Sequence, residues 1–278
     1  MYKYLAFASE KRPLYSVVKD KNTEIRMVKK TVLITGASSG LGEALALYCA
    51  AQGCNLALVA RRLELLEQLA EKIRDKYQVQ VEVAQLDVNE HDKIFPIFIG
   101  LSDLLGRIDT IVINAGILKT RRLADERIDK DIAVFETNVI AAIACADAAQ
   151  KTFHFQGKAG HIVAISSYSA LLGLPQAAAY SASKAALASY FNTLRPALLK
   201  KRIQTSVVYP GFVKTDLLKG FSSALPIIAT SDVVAKHIYD VIEKAPAEAI
   251  VPPLPWKVIY RIQQLTPKPV LQWMVKFL

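Results

Sequence analysis

The sequence predicts an α/β fold in which one doubly wound domain has about seven parallel strands and helices on both faces of the sheet. Three observations support this fold class. Short apolar, β-branched segments alternate with longer helical patterns. The strand segments are apolar along their whole length, as expected where helices cover both faces of a sheet. No internal repeat, low-complexity segment or linker divides residues 30–250, so a single domain is the simplest interpretation.

Seven short apolar segments are predicted to be the strands. They are TVLIT (31–35), NLALVA (55–60), VQVEVAQL (79–86), IDTIVIN (108–114), HIVAIS (161–166), IQTSVVY (203–209) and EAIVP (248–252). Helices are predicted between them over 41–52, 62–76, 90–105, 129–155, 179–200 and 231–244. Because a proline removes one helix hydrogen bond, we expect Pro196 to kink or end the helix over 179–200.

The composition excludes several classes of protein. Of the 278 residues, 52% are hydrophobic and 22% are charged, which indicates a compact globular chain with a large core. The three cysteines form no metal or disulfide pattern and are predicted to be core thiols in a reducing compartment. No apolar run reaches the roughly 18 residues of a spanning helix, and the first thirty residues lack a signal-peptide pattern. We therefore expect a cytoplasmic protein.

The positive charge is concentrated at the two ends of the chain. The net charge is +10; residues 1–30 carry eight Lys or Arg against three acids, and residues 251–278 carry four against none. The body between them is nearly neutral, which argues against a nucleic-acid groove running over the domain. The basic ends are predicted to be surface or membrane-facing segments.

A glycine-rich loop directly follows the first predicted strand and opens the first helix. It reads TGASSGLG over residues 35–42. Gly36 permits a tight turn, Gly40 lets the backbone approach a pyrophosphate, and Gly42 allows close helix packing at a helix N-terminus. Ser38, Ser39 and Leu41 of the same loop are further candidate cofactor contacts. The alternative is a glycine-rich turn that binds no ligand.

The end of the second strand indicates which dinucleotide binds. An NAD enzyme places an acid there for the ribose hydroxyls, whereas this chain reads LVARRLE. Ala60 offers no carboxylate to repel a phosphate, and Arg61 and Arg62 offer guanidinium groups suited to one, with a hydroxyl from Ser38. We interpret this pattern as NADP(H) binding. The alternative is that the arginines cap the strand and solvate the next helix.

Tyr180 and Lys184 are spaced for one face of a helix. The segment PQAAAYSASKAAL places them four residues apart, so they would be neighbours one turn apart. A cation held beside a phenol favours the phenolate and is expected to lower the phenol's pKa toward neutrality. Such a pair could donate or accept a proton at physiological pH.

These motifs together resemble the short-chain dehydrogenase/reductase family, which has a Rossmann-like fold. The resemblance covers about residues 30–250 and rests on five motifs in the family's order: TGASSGLG, NAG (114–116), ISS ending at Ser167, YSASK (180–184) and PGFVKT (210–215). It implies that Tyr180 is the catalytic acid/base and that Lys184 lowers its pKa and holds the nicotinamide ribose. It implies that Ser167 hydrogen-bonds the substrate oxygen and that Asn138 supports a water through which protons reach Lys184.

The same resemblance implies the cofactor contacts along the sheet edge. Asp87 is similar to the adenine contact, Asn114 to the residue that backs the cofactor, and Thr215 to a carboxamide contact. Further contacts implied by the motifs are Val88, Ala115, Gly116, Pro210, Gly211 and Val213. No metal site is expected. Pro196 and Ala197 depart from the family's usual pattern on the tyrosine helix, and a homo-oligomer is left open.

Three regions are predicted along the chain. Residues 1–29 form an N-terminal extension, 30–252 the dinucleotide-binding catalytic domain and 253–278 a C-terminal amphipathic segment with helices over about 255–264 and 268–277. MVKK (27–30) could itself be a translation start, so the extension is either a genuine arm or an artefact. The C-terminal segment either lies peripherally on the cytoplasmic face of a membrane or packs over the cleft or a partner subunit.

The predicted function is NADP(H)-dependent interconversion of a carbonyl and a secondary alcohol. The apolar segments LLGLP (171–175) and LLKGFSSALPII (217–228) are expected to flank the cleft, which favours a small hydrophobic substrate, although ordinary loop packing would explain them too. Two alternatives of another class are a catalytically silent NADP-binding regulator and a membrane-docked scaffold of the same fold.

Overall fold

The computed structural model describes residues 15–18, 26–120, 128–174, 177–218, 229–267 and 269–271, with side chains from residue 29 onward. The strands are β1 Tyr15–Val18, β2 Arg26–Lys29, β3 Thr31–Thr35, β4 Asn55–Ala60, β5 Val81–Gln85, β6 Thr110–Ile113, β7 Gly160–Ile165, β8 Ile203–Pro210 and β9 Glu248–Val251. The α-helices are α1 Gly40–Ala51, α2 Leu63–Lys76, α3 His91–Leu105, α4 Ile128–Phe135, α5 Ala141–Phe155, α6 Ala178–Lys200, α7 Ser231–Lys244 and α8 Pro253–Leu265. A π-helical turn, Glu136–Ile140, joins α4 to α5, and short 3-10 turns cover Tyr168–Ala170 and Asp216–Leu218.

Seven of the strands form one parallel sheet in the order β5-β4-β3-β6-β7-β8-β9. The chain runs outward from β3 in one direction through β4 and β5, and then returns to the other side of β3 at β6. The strand order therefore reverses between β3 and β6. Ligands of open α/β sheets bind at the carboxyl ends of the strands on either side of such a reversal.

The two faces of the sheet build two separate cores. Because side chains alternate along a strand, Val32 and Ile34 point into one core and Leu33 into the other. Helices α1 and α7 pack together on the first face, while α3 and α5 pack together on the second. All seven sheet strands and six helices predicted from the sequence are confirmed within a few residues. The three cysteines are free and buried, as predicted.

Two features of the helices differ from the sequence prediction. Helix α6 does not end at Pro196 but continues to Lys200, because packing of its apolar face on the sheet holds the helix beyond one missing hydrogen bond. The predicted helix over 129–155 is interrupted by the π-helical turn at Glu136–Ile140. The antiparallel hairpin of β1 and β2 was not predicted.

One stretch of the described residues, Ile128–Phe155, is long and apolar enough to cross a membrane by length and composition. More than half of its most apolar window, 56%, is buried inside the domain. It also contains the π-helical turn with the buried Asn138. We therefore interpret it as a core element of the second face of the sheet.

Candidate functional site

The glycine loop has the tight geometry that its sequence predicted. Gly36 has φ +67°, and a Cβ there would lie 2.9 Å from the Cα of Ala115. A Cβ on Gly42 would lie 2.3 Å from the carbonyl oxygen of Gly36 and 2.7 Å from Nδ2 of Asn114. The first turn of α1 therefore packs against the loop at a distance that only glycine permits. Its backbone N–H groups form the N-terminal end of a helix, which favours an anion.

Asn114 holds this loop in place. Its Nδ2 donates to the carbonyl oxygens of Thr35 at 3.0 Å and Gly36 at 3.2 Å. In return, Oγ1 of Thr35 accepts from the backbone N–H of Asn114 at 2.9 Å and of Ala115 at 3.1 Å. The ends of β3 and β6 are thus bonded to each other at the point where the strand order reverses. Asn114 is therefore a positioning residue, because its side-chain amide donates to backbone carbonyl oxygens of the loop.

The two predicted arginines have different surroundings. Nη2 of Arg62 donates to Oγ of Ser38 at 3.0 Å and to Oγ of Ser39 at 2.7 Å, which brings the guanidinium over the start of α1. Nη1 of Arg61 lies 4.0 Å from Oδ2 of Asp87, and its side chain is 67% exposed. Arg62 and the two serines form a preassembled group of donors, whereas Arg61 extends toward the end of β5.

The remaining cofactor candidates line the same edge of the sheet. Oδ1 of Asp87 accepts from the backbone N–H of Asn89 at 3.0 Å, which fixes the loop after β5. Val88 is buried, and Leu41 packs on the first core. Thr215 reaches the glycine loop from the far side of the sheet, since a Cβ on Gly40 would lie 3.3 Å from its Cγ2. Val213 is held by a bridge to Ala229.

Tyr180 and Lys184 are both buried on α6, as the four-residue spacing predicted. Nζ of Lys184 lies 5.8 Å from the centre of the Tyr180 ring and donates to the carbonyl oxygen of Ile165, the last residue of β7, at 2.9 Å. Oγ of Ser166 donates to the carbonyl oxygen of Lys184 at 2.8 Å. The helix is therefore tied to the end of β7, and Ser167 follows directly after that tie.

Asn138 occupies the π-helical turn and links three elements. Its Oδ1 accepts from the backbone N–H of Ile117 at 2.8 Å, and its Nδ2 donates to the Ile117 carbonyl at 2.9 Å and to Oγ of Ser183 at 3.0 Å. A Cβ on Gly116 would lie 3.1 Å from Oδ1 of Asn138 and 3.3 Å from Nζ of Lys184. Single π-helical turns are common at functional sites. The side chain of Asn138 positions the strand end; the predicted water contact stays a prediction.

Burial shifts the pKa values of both Tyr180 and Lys184. Burial raises the pKa of the Tyr180 phenol to about 12, with a hydrogen bond from Ser167 acting in the opposite direction. Burial lowers the pKa of Lys184 to about 8. The expectation that the phenol's pKa falls toward neutrality is therefore wrong for the protein alone, because desolvation of the buried phenol raises it. At neutral pH the phenol keeps its proton and the amine is mostly protonated.

Four residues beside the candidate site, Tyr168, Phe212, Trp256 and Gln263, were not predicted from the sequence. Trp256, at the start of α8, packs on Gly211, where an added Cβ would lie 2.2 Å from the indole. Its ring lies 4.7 Å from that of Tyr168 and 5.3 Å from that of Phe212. The Tyr168 hydroxyl donates to Oε1 of Gln263 at 2.9 Å. The sequence feature that could have indicated this contact is a tryptophan shortly after the last strand, in a segment without acidic residues.

Helix α8 therefore forms a wall of the site next to Ser167. One face of this helix therefore packs on the domain, and the predicted membrane contact of the segment stays a prediction. Of the two apolar segments predicted to flank the cleft, 171–175 and 217–228, residues 175 and 219–228 lie outside the described residues. Among the described residues, no group of three or more His, Cys, Asp or Glu side chains is placed to hold a metal ion.

Comparisons with known proteins agree with this geometry. A family model described as short chain dehydrogenase matches residues 30–225. An uncharacterized oxidoreductase of Mycobacterium tuberculosis is 37% identical over 243 residues, which are 87% of this chain and 95% of that protein. The Arabidopsis thaliana protein named 11-beta-hydroxysteroid dehydrogenase 1A is 37% identical over 206 residues, 73% of this chain and 58% of that protein. The solved structure of ElxO with NADP bound has a TM-score of 0.70 at 26% identity, covering 80% of this chain and 96% of ElxO.

Proposed function

Because the chain belongs to the short-chain dehydrogenase/reductase family, it is an oxidoreductase, and we propose that it uses NADP(H) to interconvert a hydrophobic carbonyl compound and the corresponding secondary alcohol. The observation that carries the proposal is the arrangement of the buried Tyr180 and Lys184 with the half-buried Ser167 at the carboxyl edge of the sheet. When bound there, the nicotinamide would supply or accept a hydride, which is chemistry that the side chains lack.

The residues present fit such a cofactor. Because Gly36 and Gly42 carry no side chain, a pyrophosphate could approach the loop backbone closely at the N-terminus of a helix. Arg62, with Ser38 and Ser39, offers charge-assisted and neutral donors for a phosphate on the adenosine ribose. Ala60 adds no carboxylate to repel it. ElxO, which is similar to this chain, was solved with NADP bound, and this supports the preference for the phosphorylated cofactor.

In the reducing direction, negative charge develops on the carbonyl oxygen of the substrate. The phenol of Tyr180 donates its proton to that oxygen, and the hydroxyl of Ser167 donates a hydrogen bond to it. The ammonium of Lys184 lies beside the phenol and stabilises the phenolate that remains. Asn138 holds the neighbouring strand end so that these groups keep their positions.

The surroundings of Tyr180 support a hydrophobic substrate. The phenol belongs to an apolar cluster in which the other buried members are Val134, Leu174, Ala177 and Ala179, with Ile117, Leu118 and Phe212 packed against them. The aromatic group of Tyr168, Phe212 and Trp256 extends this apolar surface. The Arabidopsis relative carries the name of a hydroxysteroid dehydrogenase, so rigid polycyclic ketones are a sensible first class to test.

The test is a screen of ketones of graded size and polarity with NADPH, followed by Tyr180→Phe on the best substrate. Loss of the general acid should lower kcat by about 100- to 10,000-fold while NADPH binding is retained. Tyr190→Phe is the matched control, because Tyr190 lies on the same helix about 15 Å further along it. The wild-type rate of reduction should be level through neutral pH and fall as the pH rises through about 8, where Lys184 loses its proton.

The competing function is a catalytically silent NADP-binding protein of the same fold. It predicts tight NADPH binding with no ketone-dependent oxidation of NADPH for any compound in the screen. Equal turnover by wild type and Tyr180→Phe would contradict the catalytic role of Tyr180. In that case the protein would still be an oxidoreductase, with the proton supplied from another group.

A further inference from the structure

Helix α8 has two faces with different surroundings. Leu254 has extended backbone angles, so the continuous helix begins at Pro255. Trp256 and Gln263 face the domain, where they contact Tyr168 and its neighbours. Residues offset from these by two positions point about 200° away around the helix. The opposite face is therefore directed away from the active site.

The outward face is apolar and exposed. Val258, Ile262 and Leu265 follow one another at the spacing of a single helix stripe and are 49%, 58% and 87% exposed among the residues that the structure describes. Leu254 before the helix and Val270 after it are also exposed. A continuous stripe of large apolar side chains differs from scattered exposed residues and indicates an interaction surface.

Cations accompany this stripe. Lys257 and Arg261 each directly precede one of its residues, and both are exposed. Residues 251–278 contain four Lys or Arg and no acid. A partner of this face must therefore accept apolar side chains and offer negative charge beside them.

We propose that the outward face of α8 docks on a lipid bilayer with anionic headgroups. The apolar stripe would enter the boundary between headgroups and acyl chains, with Lys257 and Arg261 at the headgroups. A second copy of the chain is a poorer occupant, since a two-fold contact through this face would bring its cations against their own copies. The continuous helix over residues 255–265 is about 17 Å long, which is too short to cross the roughly 30 Å hydrocarbon core, so the contact is peripheral.

Vesicle flotation with the full chain tests the docking. At low salt the protein should float with phosphatidylcholine vesicles that contain about one third phosphatidylserine, and less at high salt because the charges are screened. Val258→Glu with Ile262→Glu should lower the bound fraction at least about tenfold. The matched control is Leu104→Glu with Leu199→Glu, which makes the same change at side chains that are 67% and 52% exposed on α3 and α6.

A second pair of variants separates charge from apolar contact. Lys257→Glu with Arg261→Glu should weaken binding to the anionic vesicles by about fivefold or more per cation. Lys200→Glu with Lys201→Glu changes the net charge equally at the far end of α6 and should have a smaller effect. NADPH titration and thermal melting of every variant report whether the domain is intact. None of these readouts depends on the proposed reaction.

Several outcomes would overturn the proposal. They are an absence of flotation by the wild type at low salt, equal flotation by the wild type and the Val258 and Ile262 double variant, or equal recovery with phosphatidylcholine alone. Light scattering tests a further outcome that would overturn the proposal. If the wild type were a dimer and the Val258 and Ile262 double variant a monomer, the face would be assigned to a second copy of the chain.

Discussion

The proposed cofactor side and the proposed substrate side of the site are built in different ways. On the proposed cofactor side, the ends of β3 and β6 are joined by hydrogen bonds of the Thr35 hydroxyl and the Asn114 amide to backbone groups, and main-chain atoms approach each other closely. On the substrate side, the wall consists of side chains from separate segments, with Trp256 packed between Tyr168 and Phe212.

Because of this difference, we expect the two sides to respond differently to amino-acid substitutions. A main-chain site tolerates few new atoms but does not depend on large side chains. A wall of packed aromatic side chains depends on their volume and tolerates changes that conserve it. We therefore expect substitutions on the two sides to separate cofactor binding from stability and substrate binding.

The largest effect is expected for Trp256→Ala. Removing a buried tryptophan that packs on Tyr168, Phe212 and Gly211 should cost about 3–5 kcal/mol of the free energy of unfolding. It should raise the KM of a hydrophobic ketone and leave the NADPH dissociation constant nearly unchanged. Urea unfolding and cofactor titration measure the two quantities.

Trp256→Phe is the control for volume. It keeps an aromatic ring between Tyr168 and Phe212 and removes an indole N–H that is buried without a partner among the described residues. Trp256→Phe should lower the free energy of unfolding by less than about 1.5 kcal/mol. If Trp256→Ala were as stable as wild type, α8 would not be part of the wall.

The next effect concerns the cofactor side, where Arg62→Ala removes donors without changing the loop backbone. Charge-assisted hydrogen bonds contribute about 1.5–3 kcal/mol each, so NADPH should bind about 10- to 150-fold more weakly, while NADH affinity stays the same. Arg61→Ala, which changes a more exposed side chain beside Asp87, should have a smaller effect. Fluorescence titration with both cofactors compares the two variants. Equal affinities of the wild type for NADPH and NADH would reject the proposed role of Arg62.

Gly42→Ala adds only one carbon and is expected to have the smallest of these effects. The new Cβ would meet the carbonyl oxygen of Gly36 at 2.3 Å, so the loop backbone must move, at a cost of about 1–3 kcal/mol. NADPH binding should weaken about 5- to 150-fold. Gly100→Ala in α3 is the matched control, since its Cβ meets nothing within 4 Å; it should raise stability by about 0.5–1 kcal/mol. Unchanged NADPH binding by Gly42→Ala would mean that the loop is free to relax.

The cofactor side could be predicted from local sequence. The spacing of Gly36, Gly40 and Gly42 after an apolar strand specifies a turn and a helix start because backbone sterics act over a few residues. The four-residue spacing of Tyr180 and Lys184 likewise places them on one helix face. The strand and helix pattern gave the sheet and its helices within a few residues. It did not predict the interruption at Glu136–Ile140, the continuation of α6 beyond Pro196 or the N-terminal hairpin.

The protonation states of Tyr180 and Lys184 could not be predicted in the same way. Spacing indicates that Tyr180 and Lys184 are neighbours, and from this the phenol's pKa was expected to fall. The structure places both groups in a buried site, where desolvation raises the pKa of the phenol and lowers that of the amine. Burial depends on every element packed around α6, so it is a property of the assembled fold.

The sequence by itself determined the α/β class, the order of strands and helices, the glycine-rich turn before α1 and the placement of Tyr180 and Lys184 on one helix face, because each follows from contacts within a few residues of the chain. Only the tertiary structure decided that Arg62 rather than Arg61 joins the loop serines, and that Trp256 and Gln263 form the wall beside Ser167. The physical reason is distance along the chain. Gln263 reaches Tyr168 across 95 residues, and no local pattern records a contact that forms only when both segments pack on the same sheet.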